Sequence, residues 1–276
     1  KQKSVWIVWP YNKKDWPGLF HKIPQIISKI VCNLSINQTV NLIIRTSKDK
    51  LKIKKELKKF RNNLSNIKFH FILTNRIWIR DSGPIFLVNN KKGKKIILNF
   101  LFNGWSKYND YQKDNKINDK IEKLIKIKKI EPTIIIKNNL KKIVLEGGAI
   151  DVNGRGSILL TRECFLSKVQ ERNPGVNKLN LENTLSKYFN LKNFIWLNKG
   201  IKGDDTHGHI DDIARFVSPN TIMAAIEKNK EDRNFKNLKE NFQILKKSTD
   251  TNGKKFKIIK IPMPKPIYIN KVQVPA

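Results

Sequence analysis

Apolar residues recur along the chain in two rhythms. Short runs rich in Ile, Val, Leu and Phe fall at positions 5–9, 40–44, 69–73, 96–101, 133–136, 157–160, 194–197, 222–226 and 256–261, the signature of buried strands. Between them, apolar residues return every three or four positions, which predicts amphipathic helices near 19–31, 51–60, 117–127, 179–189 and 235–245. Strand and helix alternate, so the fold class is α/β. Turn chemistry at Asn153-Gly154, at Ser218-Pro219-Asn220 and around Gly93 separates strand-like runs and predicts hairpins. The lysine-rich run 48–59 reads as the solvated side of a helix whose apolar face is Leu51, Leu57 and Phe60.

A longer period underlies this alternation. Acidic residues stand at the head of three similar stretches, Asp81 in Arg80-Asp81-Ser82-Gly83, Glu146 in Leu145-Glu146-Gly147-Gly148 and Asp211 in His209-Ile210-Asp211, each 65 residues from the last. After each acid comes a strand, a turn, a strand, a helix and a strand, one supersecondary unit repeated. The same step beyond Asp211 reaches position 276, so the expectation is a single domain over residues 1–276 made of stacked repeats and incomplete at its C-terminal end.

Composition changes this picture little. A chain of 276 residues, 39% hydrophobic, can bury a substantial core, and no apolar run is long enough to span a bilayer. Residues 1–10 lack the apolar segment of a signal peptide, which favours a cytoplasmic setting. Two cysteines, Cys32 and Cys164, are too few for a disulfide framework. The net charge of +33 suggests a nucleic-acid partner at first sight, but lysine is spread over the whole length without a basic arm, zinc-finger spacing or aromatic RNA-binding signature. A lysine-coated surface is the simpler reading, and no nucleic-acid partner is expected.

The candidate chemistry lies in the acidic repeat positions. His209 and Asp211 are two apart in a strand-like run, which would turn both side chains to one face. Carboxylates gathered around a histidine are costly to bury unless a cation binds, and the planar guanidinium with its five donors suits paired carboxylates. A guanidinium held between Asp81 and Asp211 would expose its central carbon to a thiolate. His209 would protonate the departing ammonia and then activate water, with Glu146 orienting it and favouring its charged form.

Trp78-Ile79-Arg80-Asp81-Ser82-Gly83-Pro84, Phe102-Asn103-Gly104-Trp105, Leu145-Glu146-Gly147-Gly148 and Gly203-Asp204-Asp205-Thr206-His207-Gly208-His209-Ile210-Asp211 resemble segments of the agmatine deiminase family. Together with the bacterial peptidylarginine deiminases, that family belongs to the pentein superfamily of five-bladed α/β propellers. The resemblance implies a pentein-type α/β propeller, here an incomplete ring, and hydrolysis of agmatine to N-carbamoylputrescine and ammonia on the way to putrescine. Neither metal nor organic cofactor is implied. Peptidyl arginine is the alternative substrate, and assembly into a homo-oligomer is left open. Asp81 and Asp211 would be the guanidinium-binding acids, His209 the general acid and base, and Glu146 its supporting carboxylate. The resemblance places Trp78 by the substrate, although a core role suits it equally, and Asp204 and Asp205 would contact the distal ammonium or solvate a loop.

The family's nucleophilic cysteine lies in a Gly-rich C-terminal segment that nothing here matches. Cys164 falls at a non-catalytic family position, and Cys32 reads as a buried small hydrophobe. The expectation is therefore a chain without its nucleophile and without turnover, part of a longer reading frame. Two other classes fit parts of the sequence. His207-Gly208-His209-Ile210-Asp211 has the spacing of a metal-dependent hydrolase, but Asp212 stands where that motif needs histidine, and His21 and His70 lie upstream. A non-catalytic basic binding module is the third.

Overall fold

In a computed structural model, the residues described are 2–89, 92–269 and 272–274. They fall into two compact units, one combining the chain up to Pro84 with Asn109–Lys129, the other combining Ile85–Tyr108 with the chain from Ile130 onward.

The first unit is built on three parallel strands, Ser4–Val8, Thr39–Ile44 and Ile67–Phe71, in that order, with Ser4 opposite Thr39 and Val40 opposite Ile67. Parallel neighbours require crossovers, and helices Ile23–Leu34 and Ser47–Lys58 supply them. The middle strand buries Val40, Leu42, Ile43 and Ile44 on both faces, which is why it reads as an unbroken apolar run. Thr46 and Asp49 start the second helix with a reciprocal capping box. That helix buries Ile53 and Leu57, four apart, whereas Leu51 falls on the far side and is 69% exposed, so the expected apolar face is corrected from Leu51 to Ile53. Cys32 is buried in this core, its Sγ 3.4 Å from the Leu57 carbonyl.

Beyond the sheet, residues 75 and 76 are held by a buried carboxylate. Asp114 accepts the backbone N–H groups of Asn75 (2.7 Å) and Arg76 (3.4 Å), while the Arg76 guanidinium pairs with Asp15 and Asp110. Burial pushes the Asp114 pKa up to about 7, against the pull of those N–H donors and of Arg76. A raised folded-state pKa means that the unfolded chain releases the proton first, near its ordinary value of 3.8. Stability contributed by Asp114 is therefore expected to fall as pH rises from about 4 to about 7, at about 1.4 kcal/mol per unit, and to level off above that. Asp114→Asn, which keeps an acceptor for Asn75, should flatten this slope in urea unfolding measured across the same window.

In the second unit all three hairpins expected from turn chemistry form. Antiparallel pairs join Ile85–Val88 to Lys95–Leu98, Asp151–Val152 to Ser157–Thr161, and Ala214–Ser218 to Thr221–Ile226. After the second hairpin, helix Lys178–Phe189 leads to strand Asn193–Leu197, which lies parallel to Ser157–Thr161. After the third, helix Phe235–Lys247 leads to Lys257–Pro262, parallel to Thr221–Ile226. The order of hairpin, helix and parallel strand is thus repeated after the second and third hairpins. The 65-residue register also appears as contacts between equivalent positions. Gln170 Nε2 donates to the Trp105 carbonyl (3.0 Å), Ser106 Oγ to the Glu171 carbonyl (2.8 Å), and Phe216 N–H to Asp151 Oδ2 (2.5 Å). Among the described residues the strands form separate sheets of two or three strands, and none closes on itself.

Strand Ser157–Thr161 is the hub of the unit. Ile158 and Leu160 pack with Leu181, Leu185 and Trp196, whereas Leu159 packs with Leu197, Ile210, Ile222 and Leu238, so alternate residues serve two cores. No helix among the described residues is long and apolar enough to cross a membrane.

Candidate active site

Glu146 leaves the chain just before Gly147–Ala149, a single tight turn that is buried throughout, and its side chain is fully buried. His209 lies across from it, 2% exposed, with Nε2 3.7 Å from Glu146 Oε2 and Nδ1 3.8 Å from Asp211 Oδ1. The imidazole is therefore set between two carboxylates, one sealed and one 22% exposed. The Asp211 N–H donates to the Gly148 carbonyl (3.2 Å), so the segments carrying the two acids are tied directly together.

This convergence does not arise from a strand, and that expectation is corrected. Residues 209–211 lie in consecutive turns between Asn193–Leu197 and Ala214–Ser218. Ile210, fully buried between two polar neighbours, imitated the alternation of a strand. The turn is instead organised by Asp204. Its Oδ1 accepts from Thr206 N (2.7 Å) and Thr206 Oγ1 (2.5 Å), and its Oδ2 accepts from Gly208 N (2.6 Å) and His209 N (3.2 Å). His207 and Gly208 both take left-handed backbone conformations, φ 64° and 93°. A Cβ on Gly208 would meet the Glu163 side chain at 3.0 Å, so the chain reverses there only as glycine.

Three residues not singled out as site residues complete the cluster. Arg172 Nε donates to Glu146 Oε1 at 3.1 Å, and both side chains are essentially without exposure. Burial pushes the Glu146 carboxyl up, but Arg172 and then His209 pull it down further, leaving it below the ordinary carboxylate range. Burial likewise works against the charge on Arg172, and Glu146 outweighs it, so its pKa is raised. Thr161 Oγ1 donates to the Gly208 carbonyl (2.5 Å) and accepts from Cys164 N–H (3.0 Å). Cys164, 1% exposed, brings its Sγ to within 4.8 Å of ligand atoms on Glu146 and His209. A thiol therefore accompanies the histidine, and it is that of Cys164, the cysteine at the non-catalytic family position. Arg172 stands in Glu171-Arg172-Asn173-Pro174, where nothing in the local pattern distinguishes a sealed arginine from a solvated one.

Glu146, Cys164 and His209 form the one group of three potential metal ligands among the described residues, and it is not the spacing read from the sequence. His207 Nε2 lies 3.1 Å from Ser167 Oγ, and the cationic partner of Glu146 is already Arg172.

Asp205 is half-exposed and shared by Lys107 and the Tyr108 hydroxyl (2.5 Å). Trp78 and Asp81 belong to the first unit. Trp78 is 43% exposed, its ring 5.9 Å from Trp16, which separates it from the core reading. Asp81 is buried in the short helix Ile79–Ser82, which Asn118 Nδ2 steadies through the Ser82 carbonyl (3.2 Å).

The family model described as Porphyromonas-type peptidyl-arginine deiminase matches residues 1–276. A Legionella pneumophila (strain Paris) protein carrying agmatine deiminase as a provisional name is 31% identical over 273 residues, covering 97% of this chain and 73% of the relative. Among solved structures, a cysteine-to-serine variant of C. jejuni agmatine deiminase with substrate bound is 34% identical, with a TM-score of 0.83 over 100% of this chain and 75% of that one. The unsubstituted C. jejuni agmatine deiminase gives 32% identity and a TM-score of 0.80 at the same coverage. The chain therefore belongs to the Porphyromonas-type peptidyl-arginine deiminase family, among hydrolases that act on the C–N bonds of amidines.

Proposed function

We propose that this chain serves the hydrolytic deimination of agmatine, giving N-carbamoylputrescine and ammonia in a cytoplasmic route to putrescine. The observation that carries this reading is His209 set between Glu146 and Asp211, a buried base between two acids. In this reading residues 1–276 make one deiminase domain whose repeated sheets are blades of a pentein-type propeller. Asp211 and Asp81 hold the guanidinium through paired N–H···O bonds, which fixes its plane and concentrates positive charge on its central carbon. In this reading the attacking thiolate is supplied by neither Cys32 nor Cys164; once it adds to that carbon, the C–N bond breaks as His209 hands a proton to the leaving ammonia. Water, deprotonated by the same imidazole, then displaces the thiolate and leaves the ureido product.

Cys164 is assigned packing rather than attack, because it falls at a non-catalytic family position and lies buried behind Thr161, whose Oγ1 accepts its backbone N–H. For the amine tail, half-exposed Asp205 is the better acceptor: it can exchange its side-chain contacts with Lys107 and Tyr108 for an ammonium, whereas both oxygens of Asp204 are held by backbone N–H groups of its own turn. A blocked arginine peptide has no free ammonium at that place, which favours agmatine.

Calorimetric titration tests the reading. Agmatine is expected to bind at least tenfold more tightly than putrescine, which lacks the guanidinium, and Asp211→Asn or Asp81→Asn should remove that difference. Equal affinity for the two amines would overturn the assignment. Ammonia release by the wild-type chain that vanishes in Cys164→Ser would move the attack onto this thiol. Activity abolished by a chelator and restored by zinc would favour the metal-dependent alternative.

A further inference from the structure

We propose that Arg172 is a positioning residue of this site: it keeps Glu146 a carboxylate and pins the His209-bearing turn against it. The inference rests on the deiminase reading only for what the histidine is used for.

The guanidinium uses three nitrogens on three acceptors. Nε donates to Glu146 Oε1 (3.1 Å), Nη1 to the Gln170 carbonyl (2.9 Å), and Nη2 to the Thr206 carbonyl. Gln170 is itself held to the Trp105 and Asp205 carbonyls through its Nε2 (3.0 and 3.2 Å), so the clamp is braced by two further segments. Thr206 is the residue that Asp204 caps, two positions before Gly208 and three before His209. Arg172 thus bridges the segment presenting Glu146 and the turn presenting His209.

No hydrogen bond reaches Glu146 Oε2 among the described residues. A fully buried carboxylate with one bare oxygen takes up a proton unless a cation stabilises its charge. Arg172 is the permanent cation in contact, since His209 carries charge for only part of a catalytic cycle. If Glu146 were protonated, it would lose its charge attraction for the imidazolium, and one of the two carboxylate contacts that orient the histidine would be weakened. The planar fork also explains why arginine serves here. A lysine ammonium could neutralise Glu146 but could not span three acceptors in one plane.

The test uses the full chain with ¹³C-labelled glutamate carboxyls, the Glu146 resonance being assigned by its loss in Glu146→Gln. In the wild type this carboxyl is expected to stay ionised to below the ordinary carboxylate range. In Arg172→Gln its proton uptake should move up by at least one pH unit. In Arg172→Lys uptake should lie near the wild-type position, while amide hydrogen exchange of residues 204–209 accelerates at least tenfold because the fork is lost. Glu146 titrating alike in wild type and Arg172→Gln would overturn the proposal, as would wild-type exchange rates in Arg172→Lys. If Arg172→Gln does not fold, the lysine variant alone decides through its exchange rates. Wild-type agmatine affinity is read separately. Failure to bind agmatine alongside a displaced Glu146 titration would sink the deiminase reading and leave the clamp standing.

Discussion

Glu146→Ala is expected to lower the unfolding free energy by about 3–5 kcal/mol, because it leaves the Arg172 charge sealed without its carboxylate. Against a total of about 5–15 kcal/mol for a folded protein, that is a large share. The pair itself is a different matter. Two desolvated ions gain little net stability over well-packed apolar residues of the same volume. Glu146→Leu combined with Arg172→Met is therefore expected to recover most of the loss in urea unfolding, yet to leave agmatine weakly bound because the histidine beside Asp211 has lost one of its two carboxylate partners. A double variant as unstable as Glu146→Ala would show that the ion pair is a structural necessity. Recovery of stability without recovery of binding would show that it is kept for the site.

The strands and helices were legible because burial and periodicity coincide in them. Ile158, Leu159 and Leu160 alternate between two cores, so both faces are apolar and the run stands out. Strand Asn139–Lys142 carries no such signal, since it is exposed along its length where it pairs with Thr133–Ile136. The hairpin at Asn153-Gly154 was legible for a local reason, glycine at a left-handed φ of 68°. At the site, Glu146, His209 and Asp211 emerged because the 65-residue register singles out acids at equivalent positions. Their geometry did not, because alternation of His209, Ile210 and Asp211 is shared by strands and by a turn with a buried centre. Arg172 and Asp114 were illegible for a deeper reason. A buried charge is recognised by its partners, and Glu146 lies 26 residues away and Asn75 39 residues away.

Asp204→Ala is expected to weaken guanidinium binding at least tenfold, and equally for agmatine and for butylguanidine, which lacks the amine tail. The carboxylate of Asp204 gathers three backbone N–H groups and one hydroxyl into a turn that forces His207 and Gly208 into left-handed conformations. Hydrogen bonds to a charged acceptor contribute about 1.5–3 kcal/mol each, enough to hold such a turn, though not additively. Once the acceptor is gone, the backbone is free to relax and the His209 ring leaves its place between Glu146 and Asp211. A displacement of about 1 Å in a catalytic group costs about a hundredfold in rate, and a guanidinium held by the neighbouring Asp211 feels the same loss of order. Asparagine should not rescue the variant, because its amide keeps one acceptor while turning donors toward the Gly208 and His209 N–H groups. Had Asp204 instead read the ammonium of the substrate, the loss would fall on agmatine and spare butylguanidine. That selectivity, measured by calorimetry on both ligands, separates an anchor of the histidine turn from a contact to the tail.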